Sequence, residues 1–460
     1  MANRPCGRIL AAAFFLSCLS AAAQAPWTVR PEWVRAHEEF LASDALHGRG
    51  SATPDEGVAA QYVGTQFEAY GLKPVNGTYV QKIGISEPEV DGHSTLRMGP
   101  AGELQEKTDY DLVRWSGEGD SGPLVKVSAG ELDSAKPAAG SVVLVTGTPE
   151  LRALAGASRR LATLGIRAVM AECPALHNMF EKEADGETDV ASRLAGSPPD
   201  PSEQRTLLVL TNSAAGKMGA LADGSEIALS VHAKWSERTT YNAIGVLPGS
   251  DAQAHPILLT AHLDHLGIGR PVNGDDIYNG ANDDASGTTA VMELAHALAA
   301  GRRPRRTVYF VCFGSEETGQ FGDRYFRDHP PVALTDFAAN VEFEMLAEQD
   351  PGLPKGTMFM TGWERSNLGP ALKQHGAHIV PDPYLKQRYF ERSDNYTLAK
   401  AGVVAQTIGG ANMEHYHQPS DDLAHADLEL LRSLIQSLIE PVRWLANSEF
   451  TPAWNAGGRP

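Results

Sequence analysis

A chain of 460 residues is too long for one small domain and suits two, or one large domain carrying an insertion. Its 42% hydrophobic and 21% charged residues are those of an ordinary globular protein with ample core. The formal net charge of −18, from 39 basic and 57 acidic side chains, argues against nucleic acid or anionic membrane surfaces as partners and suits cationic ligands or metal ions.

The first residues, "MANRPCGRILAAAFFLSCLSAAAQAPW", run from a basic start (Arg4, Arg8) through an apolar stretch (Ile9 to Leu19) into small residues. This pattern reads as a secretory signal peptide, too short to span a membrane. Cleavage after Ala25 would place Pro26 beside the scissile bond, so Ala23 is the expected site and 1–23 the leader. Phe15-Leu16-Ser17 before Cys18 is a weak match to a lipoprotein signal. No later stretch has the length of a membrane span, so an exported, soluble protein is expected, periplasmic or extracellular. Cys6 and Cys18 leave with the leader. Cys173 and Cys312, the latter inside apolar "TVYFVCFG", are expected as two separate buried thiols.

Residues 31–41 and 53–70 carry helical apolar spacing, the second between Thr53-Pro54 and Gly71 as start and stop signals. "GSVVLVTG" (140–147) reads as a strand, and "RRLATLGIRAVMA" (159–171) as a helix leading into another. "RTLLVLTNSAAGKMGAL" resumes that pattern after a polar, proline-rich gap near 185–204. From about 236 the apolar runs "HPILLTAHLDH", "RRTVYFVCFGSEE", "FAANVEFEML", "GTMFMTGW" and "GVVAQTIGG" read as strands. Helical patterns lie between or after them, ending in "DLELLRSLIQSLIEPVRWLA". Strands separated by helices predict an α/β fold with a mostly parallel mixed sheet flanked by helices.

The strand ends carry the chemistry. The first ends at His262 with Asp264 two residues on, the second gives way to Glu316-Glu317, and the third ends at Glu344. After the fourth and fifth comes "EHYHQPSDD", with His415 and His417, while "NGANDDASGTT" (279–289) sets Asp283 beside Asp284 just after the first. In open α/β sheets ligands bind beyond the carboxyl ends of strands. Imidazoles and carboxylates suit zinc, which binds them at about 2.0–2.2 Å. One zinc needs three protein ligands, and this set suffices for two ions about 3.5–4 Å apart sharing a carboxylate. Three carboxylates oppose the four charges of two zinc ions, so the crowding in "NDD" makes sense if one aspartate bridges and the other turns away.

"AHLDHLG", "NGANDDASGTTAVMELA", "CFGSEETGQFGDRYF", "EFEML", "RSDNYTLAKAG" and "HYHQPSDD" resemble, in order and spacing, the secreted di-zinc aminopeptidases, whose family includes plasma glutamate carboxypeptidase and glutamate carboxypeptidase II. The likeness covers about 236–440 and the helices at 31–71. Residues 112–232 resemble the smaller, β-rich protease-associated domain that many such enzymes carry as an insertion. The implied organisation is a leader at 1–23, catalytic-domain segments at 24–111 and 233–460, and the insertion at 112–232.

The resemblance implies that His262 and Glu344 serve one zinc, Glu317 and His417 the other, and Asp283 bridges both. Asp264 would accept the second ring N–H of His262. Glu316 would be the general base and later the acid toward the leaving amine, and Tyr416 a donor to the oxyanion. Asp394, in "RSDNYT", would help orient a ligand. Glu344 stands where many family members have aspartate, and Glu342, on the same face by strand alternation, is the alternative ligand. Arg388 and Arg392 have a functional reading as a carboxylate clamp and Trp363 as a pocket wall. Surface ion pairing and packing are the ordinary readings of all three. His255, His265, His296, His375, His378 and His425 read as solvated loop residues.

The expected activity is a zinc exopeptidase acting on peptides, foremost an aminopeptidase. Carboxypeptidase or dipeptidase activity on the same site comes next, then a one-zinc glutaminyl cyclase. A non-catalytic relative of transferrin-receptor type would show gaps in the ligand set.

Overall fold

A computed structural model of the chain describes residues 27–117, 120–183, 188–190, 192–197 and 205–460. The expected leader, with Cys6 and Cys18, lies outside the described residues, as does much of the polar gap near 185–204. No helix among the described residues is long and apolar enough to cross a membrane. Cys173 and Cys312 are both buried and free.

The larger-scale frame is a mixed sheet. Its strands run in the spatial order Ile379–Pro381, Met358–Met360, Ala405–Gly409, Ala339–Glu344, Ile257–His262, Val308–Phe313, Ala233–Leu247, Val80–Val90 and Arg193–Leu194. The four from Ala405–Gly409 to Val308–Phe313 are mutually parallel. Nearly all their residues are buried, as in "VYFVCF", because the sheet is covered on both sides. The register places His262 opposite Phe313 and Glu344 opposite Gly409, so the carboxyl ends finish level with one another.

Helices Pro31–Leu41, Ser286–Ala299 and Leu428–Asn447 pack on one face. The middle one is buried along nearly its whole length, which its small and apolar residues permit. Asp427 caps the last helix by accepting from the Glu429 and Leu430 amides. The other face carries Phe313, Phe326, Phe337, Leu398 and Val403 beneath helices Phe321–Asp328 and Asn395–Lys400.

A second sheet contains four parallel strands, Asp120–Ser128, Val142–Thr146, Ala168–Ala171 and Thr206–Leu210, extended by antiparallel ones. Helices Leu151–Thr163 and Asn212–Gly219 alternate with these strands, so the segment is more α/β than the β-rich expectation. Its strand Thr95–Arg97 lies upstream of the expected boundary at 112. The helix expected from 159 begins at Leu151.

Candidate metal centre

His262, Glu317 and Glu344 stand at or just beyond the carboxyl ends of parallel strands, Asp283 in the turn that leads into helix Ser286–Ala299, and His417 in the loop after Ala405–Gly409. His262 closes Ile257–His262 and is buried. The Thr288 hydroxyl donates to its carbonyl (2.7 Å), and its Nδ1 donates to the Asp264 carbonyl (3.1 Å). That bond leaves Nε2 with a lone pair, 3.2 Å from Asp283 Oδ1. His417 Nε2 lies 3.4 Å from Asp283 Oδ2 and 3.2 Å from Glu317 Oε2. Both Nε2 atoms are buried, yet neither makes a hydrogen bond among the described residues. Glu344 joins His262 and Asp283 in one cluster of donor atoms within 4.8 Å of one another. A tetrahedral ion with bonds of about 2.1 Å holds its ligand atoms about 3.4 Å apart. The observed spacings have that size, and two buried ring nitrogens without a hydrogen-bond partner suit a metal site. The residues present therefore fit zinc.

The electrostatics point the same way. Burial opposes a charged His417, but the carboxylates of Asp283 and Glu317 outweigh it and hold the imidazole up at about 10. Burial and Asp283 push the Glu317 carboxyl up, while His265 and His417 overcome both and bring it to about 2. So many buried carboxylates make the site demand positive charge.

The paired aspartates divide their work. Asp283 faces the imidazoles, whereas Asp284 turns inward. Its Oδ1 accepts from the Gly287 (2.9 Å) and Met345 (3.1 Å) amides, and its Oδ2 from the His262 amide (3.3 Å). It thus ties the turn to two strand ends. A Cβ at Gly287 would collide with the Phe343 carbonyl and the Asp284 carboxylate.

Several side chains are placed differently from expectation. The Asp264 carboxylate lies 3.8 Å from His262 Nδ1, and its own backbone carbonyl takes that proton instead. The carboxylate accepts from the amides of Glu316 (3.0 Å) and Glu317 (3.3 Å) and from the Ser51 hydroxyl, so it fixes the Glu-Glu turn. Glu342 is committed elsewhere, accepting from Ser393 Oγ, Thr407 Oγ1 and the Asn395 amide. Asp394 is buried behind the pocket, its burial and the neighbouring Asp323 charge raising its carboxyl. Trp363 packs over Gly369, outside the pocket wall. Arg388 pairs with Glu391.

His265 is the residue that the sequence reading set aside. It is fully buried, its Nδ1 lies 3.0 Å from Glu317 Oε1 and 3.8 Å from Asp283 Oδ2, and it forms a second donor cluster with those two carboxylates. The doubled histidine of "HLDH" was the available signal. Asp421 was also missed. Its two oxygens accept from the Asn282 (2.7 Å) and Asp283 (3.0 Å) amides, locking the His417 loop to the Asp283 turn.

Glu316 stands beside these ligands, held by Gln320 Nε2 (3.3 Å). Burial raises its carboxyl well above the usual range, His262 works against this, and Glu317 and Glu344 add to it. Tyr416 stacks on the His417 ring with centroids 3.8 Å apart. Burial and then Asp283 and Glu317 raise its phenol, so the hydroxyl keeps its proton as a donor. A pocket of about 550 Å³ opens here, lined among others by Glu316, Glu344, Phe359, Tyr389, Arg392 and Tyr416. A second hollow, of about 970 Å³, reaches Glu317 and His265 from the side of Leu266 and Ile268.

Known proteins share this arrangement of chain. The fold matches an aminopeptidase from Aneurinibacillus sp. strain AM-1 with a TM-score of 0.58 at 19% identity, over 92% of this chain and 95% of that one. Aminopeptidase YwaD of Bacillus subtilis is 30% identical over 234 residues, 46% of each chain. Leupeptin-inactivating enzyme 1 of Streptomyces exfoliatus is 32% identical over 119 residues, 25% of each. The chain thus spans less than half the length of these curated relatives. Residues 242–441 match peptidase family M28. That segment holds every expected ligand side chain of the candidate centre.

Proposed function

We propose that the protein is an exported, zinc-dependent exopeptidase, foremost an aminopeptidase that releases N-terminal residues from peptides, with two zinc ions in its centre. Among the described residues, the observation that carries this reading is the pair of buried, hydrogen-bond-free Nε2 atoms of His262 and His417 facing one carboxylate, Asp283. His262 and Glu344 would hold one ion, His417 and Glu317 the other, and Asp283 would bridge them. Zinc bound there would supply Lewis-acid polarisation of the scissile carbonyl and a lowered pKa for water. Glu316 would take up the proton of the attacking water and return it to the leaving amine. Its buried, raised carboxyl suits a group that must hold a proton between the two steps. Tyr416 would donate to the developing oxyanion.

A full set of five ligands favours a peptidase over a one-zinc cyclase or a ligand-poor binding relative. The second sheet would be a protease-associated domain, and the expected leader at 1–23 would direct export. Hydrolysis of aminoacyl-anilides tests the reading. Glu316→Gln should lower kcat about 10²–10⁴-fold with zinc content unchanged. A variant as fast as the parent would remove Glu316 from the chemistry.

A further inference from the structure

Glu317 lines two hollows at once, the pocket of about 550 Å³ and the second hollow of about 970 Å³. A peptide bond held at the centre therefore has room on both sides. The pocket is walled by the carboxylates of Glu316, Glu317 and Glu344, which suit the cationic α-amine of an N-terminal residue. The second hollow differs in character. Its rim charges are already matched, Arg238 with Glu87 and His47 with Asp55. Leu266 and Ile268 line it and stay 36% and 61% exposed, so its uncommitted surface is apolar. A third hollow, of about 1100 Å³, shares Glu87 and Arg238 with the second. It continues past Pro88, Val90 and Ser236 along the paired strands Val80–Val90 and Ala233–Leu247. Shared residues thus join the three into one trough that starts at the metal centre and runs on beyond Ile268.

We infer that the second hollow receives the part of the substrate that follows the cleaved bond, and that Leu266 and Ile268 select oligopeptides with apolar residues there. The inference rests on the aminopeptidase reading proposed above. With the N-terminal residue in the acidic pocket, the rest of the chain leaves the centre past Glu317 and meets these two side chains first. Contacts so far from the reacting atoms act through binding energy and raise kcat/KM for peptides that reach them. The continuation of the trough accommodates chains longer than a dipeptide.

The test measures kcat/KM of zinc-loaded wild type, Ile268→Ser and Leu266→Ser on alaninamide, Ala-Gly-Gly-amide and Ala-Leu-Leu-amide. Alaninamide has no residue after the cleaved bond and should be hydrolysed alike by all three proteins. Wild type should favour Ala-Leu-Leu-amide over Ala-Gly-Gly-amide by ~10-fold or more. That ratio should fall toward one in Ile268→Ser and shrink in Leu266→Ser. A wild-type ratio near one would overturn the inference, as would a ratio that both variants keep. Should no substrate be hydrolysed, the aminopeptidase reading fails by itself. Fluorescence anisotropy of Ala-Leu-Leu-Lys-amide, with a dye on the lysine, then still decides the hollow. Binding that Ile268→Ser weakens supports an apolar peptide site, whereas no binding, or equal binding by both proteins, refutes it.

Discussion

Tyr416 and Asp421 show how single side chains divide labour around His417. Tyr416 covers the imidazole with its ring and keeps its hydroxyl protonated over the pocket. Tyr416→Phe preserves the stacking and removes the donor, so kcat should drop about 10²-fold with zinc content unchanged. An unchanged kcat in steady-state assays would assign Tyr416 to packing alone. Asp421 touches no expected ligand side chain and holds the Asn282 and Asp283 amides. Asp421→Asn keeps its shape but exchanges one acceptor for a donor facing an N–H. Zinc affinity, read by competition with a chromogenic chelator, should weaken about 10–100-fold. Affinity equal to the parent's would show that the turn holds without this clamp.

At the scale of elements, the strand ends were legible because each couples a largely apolar run to an ionisable terminus. His262, Glu316-Glu317 and Glu344 stand out against "ILLTAH", "VYFVCF" and "ANVEFE". Helices Pro31–Leu41 and Pro54–Ala69 were equally readable from spacing and start signals. The hairpin of Gly267–Val272 and Asp275–Tyr278 was missed, although its "NG" turn has positive φ at both Asn273 and Gly274, the mark of a two-residue hairpin loop. The doubled histidine of "HLDH" marks His265, but its partner Glu317 lies 52 residues away and only the fold shows that the two meet. Glu342 and Glu344 were indistinguishable by alternation, and only the donors Ser393, Asn395 and Thr407 from a distant segment separate them. The close approach at Gly287 offers a test of this packing. Gly287→Ala should destabilise the fold by about 1–3 kcal/mol, seen as a lowered thermal midpoint. An unchanged midpoint would mean that the Asp283-Asp284 turn can shift away from the Phe343 strand end.

Across the whole molecule, buried charge joins the N-terminal segment to the metal-bearing sheet. Arg49 is fully buried and donates to the carbonyls of Leu263 (2.8 Å), Asn279 (2.6 Å) and Gly280 (2.9 Å), with Leu41 as a further acceptor. Nearby, burial pushes the Glu38 carboxyl up to about 8, with the Thr289 hydroxyl and Arg49 opposing that rise. The folded state therefore binds this proton more tightly than the unfolded chain does. The associated stability is fully present below pH 4.5, the carboxyl's ordinary value, and is lost as pH rises through about 8. Glu38→Gln should melt near the parent at pH 4 and increasingly above it toward pH 9, by at most about 1.4 kcal/mol per pH unit in that window. A gap that does not change with pH would contradict the shift.

The most direct measurement of the central reading is zinc stoichiometry: metal-free protein titrated with zinc, the bound metal counted by elemental analysis after gel filtration. Two equivalents are expected for the parent, and one for His417→Ala, which removes an imidazole from the Asp283–Glu317 side only. One equivalent or none in the parent would contradict a centre in which Asp283 bridges two ions.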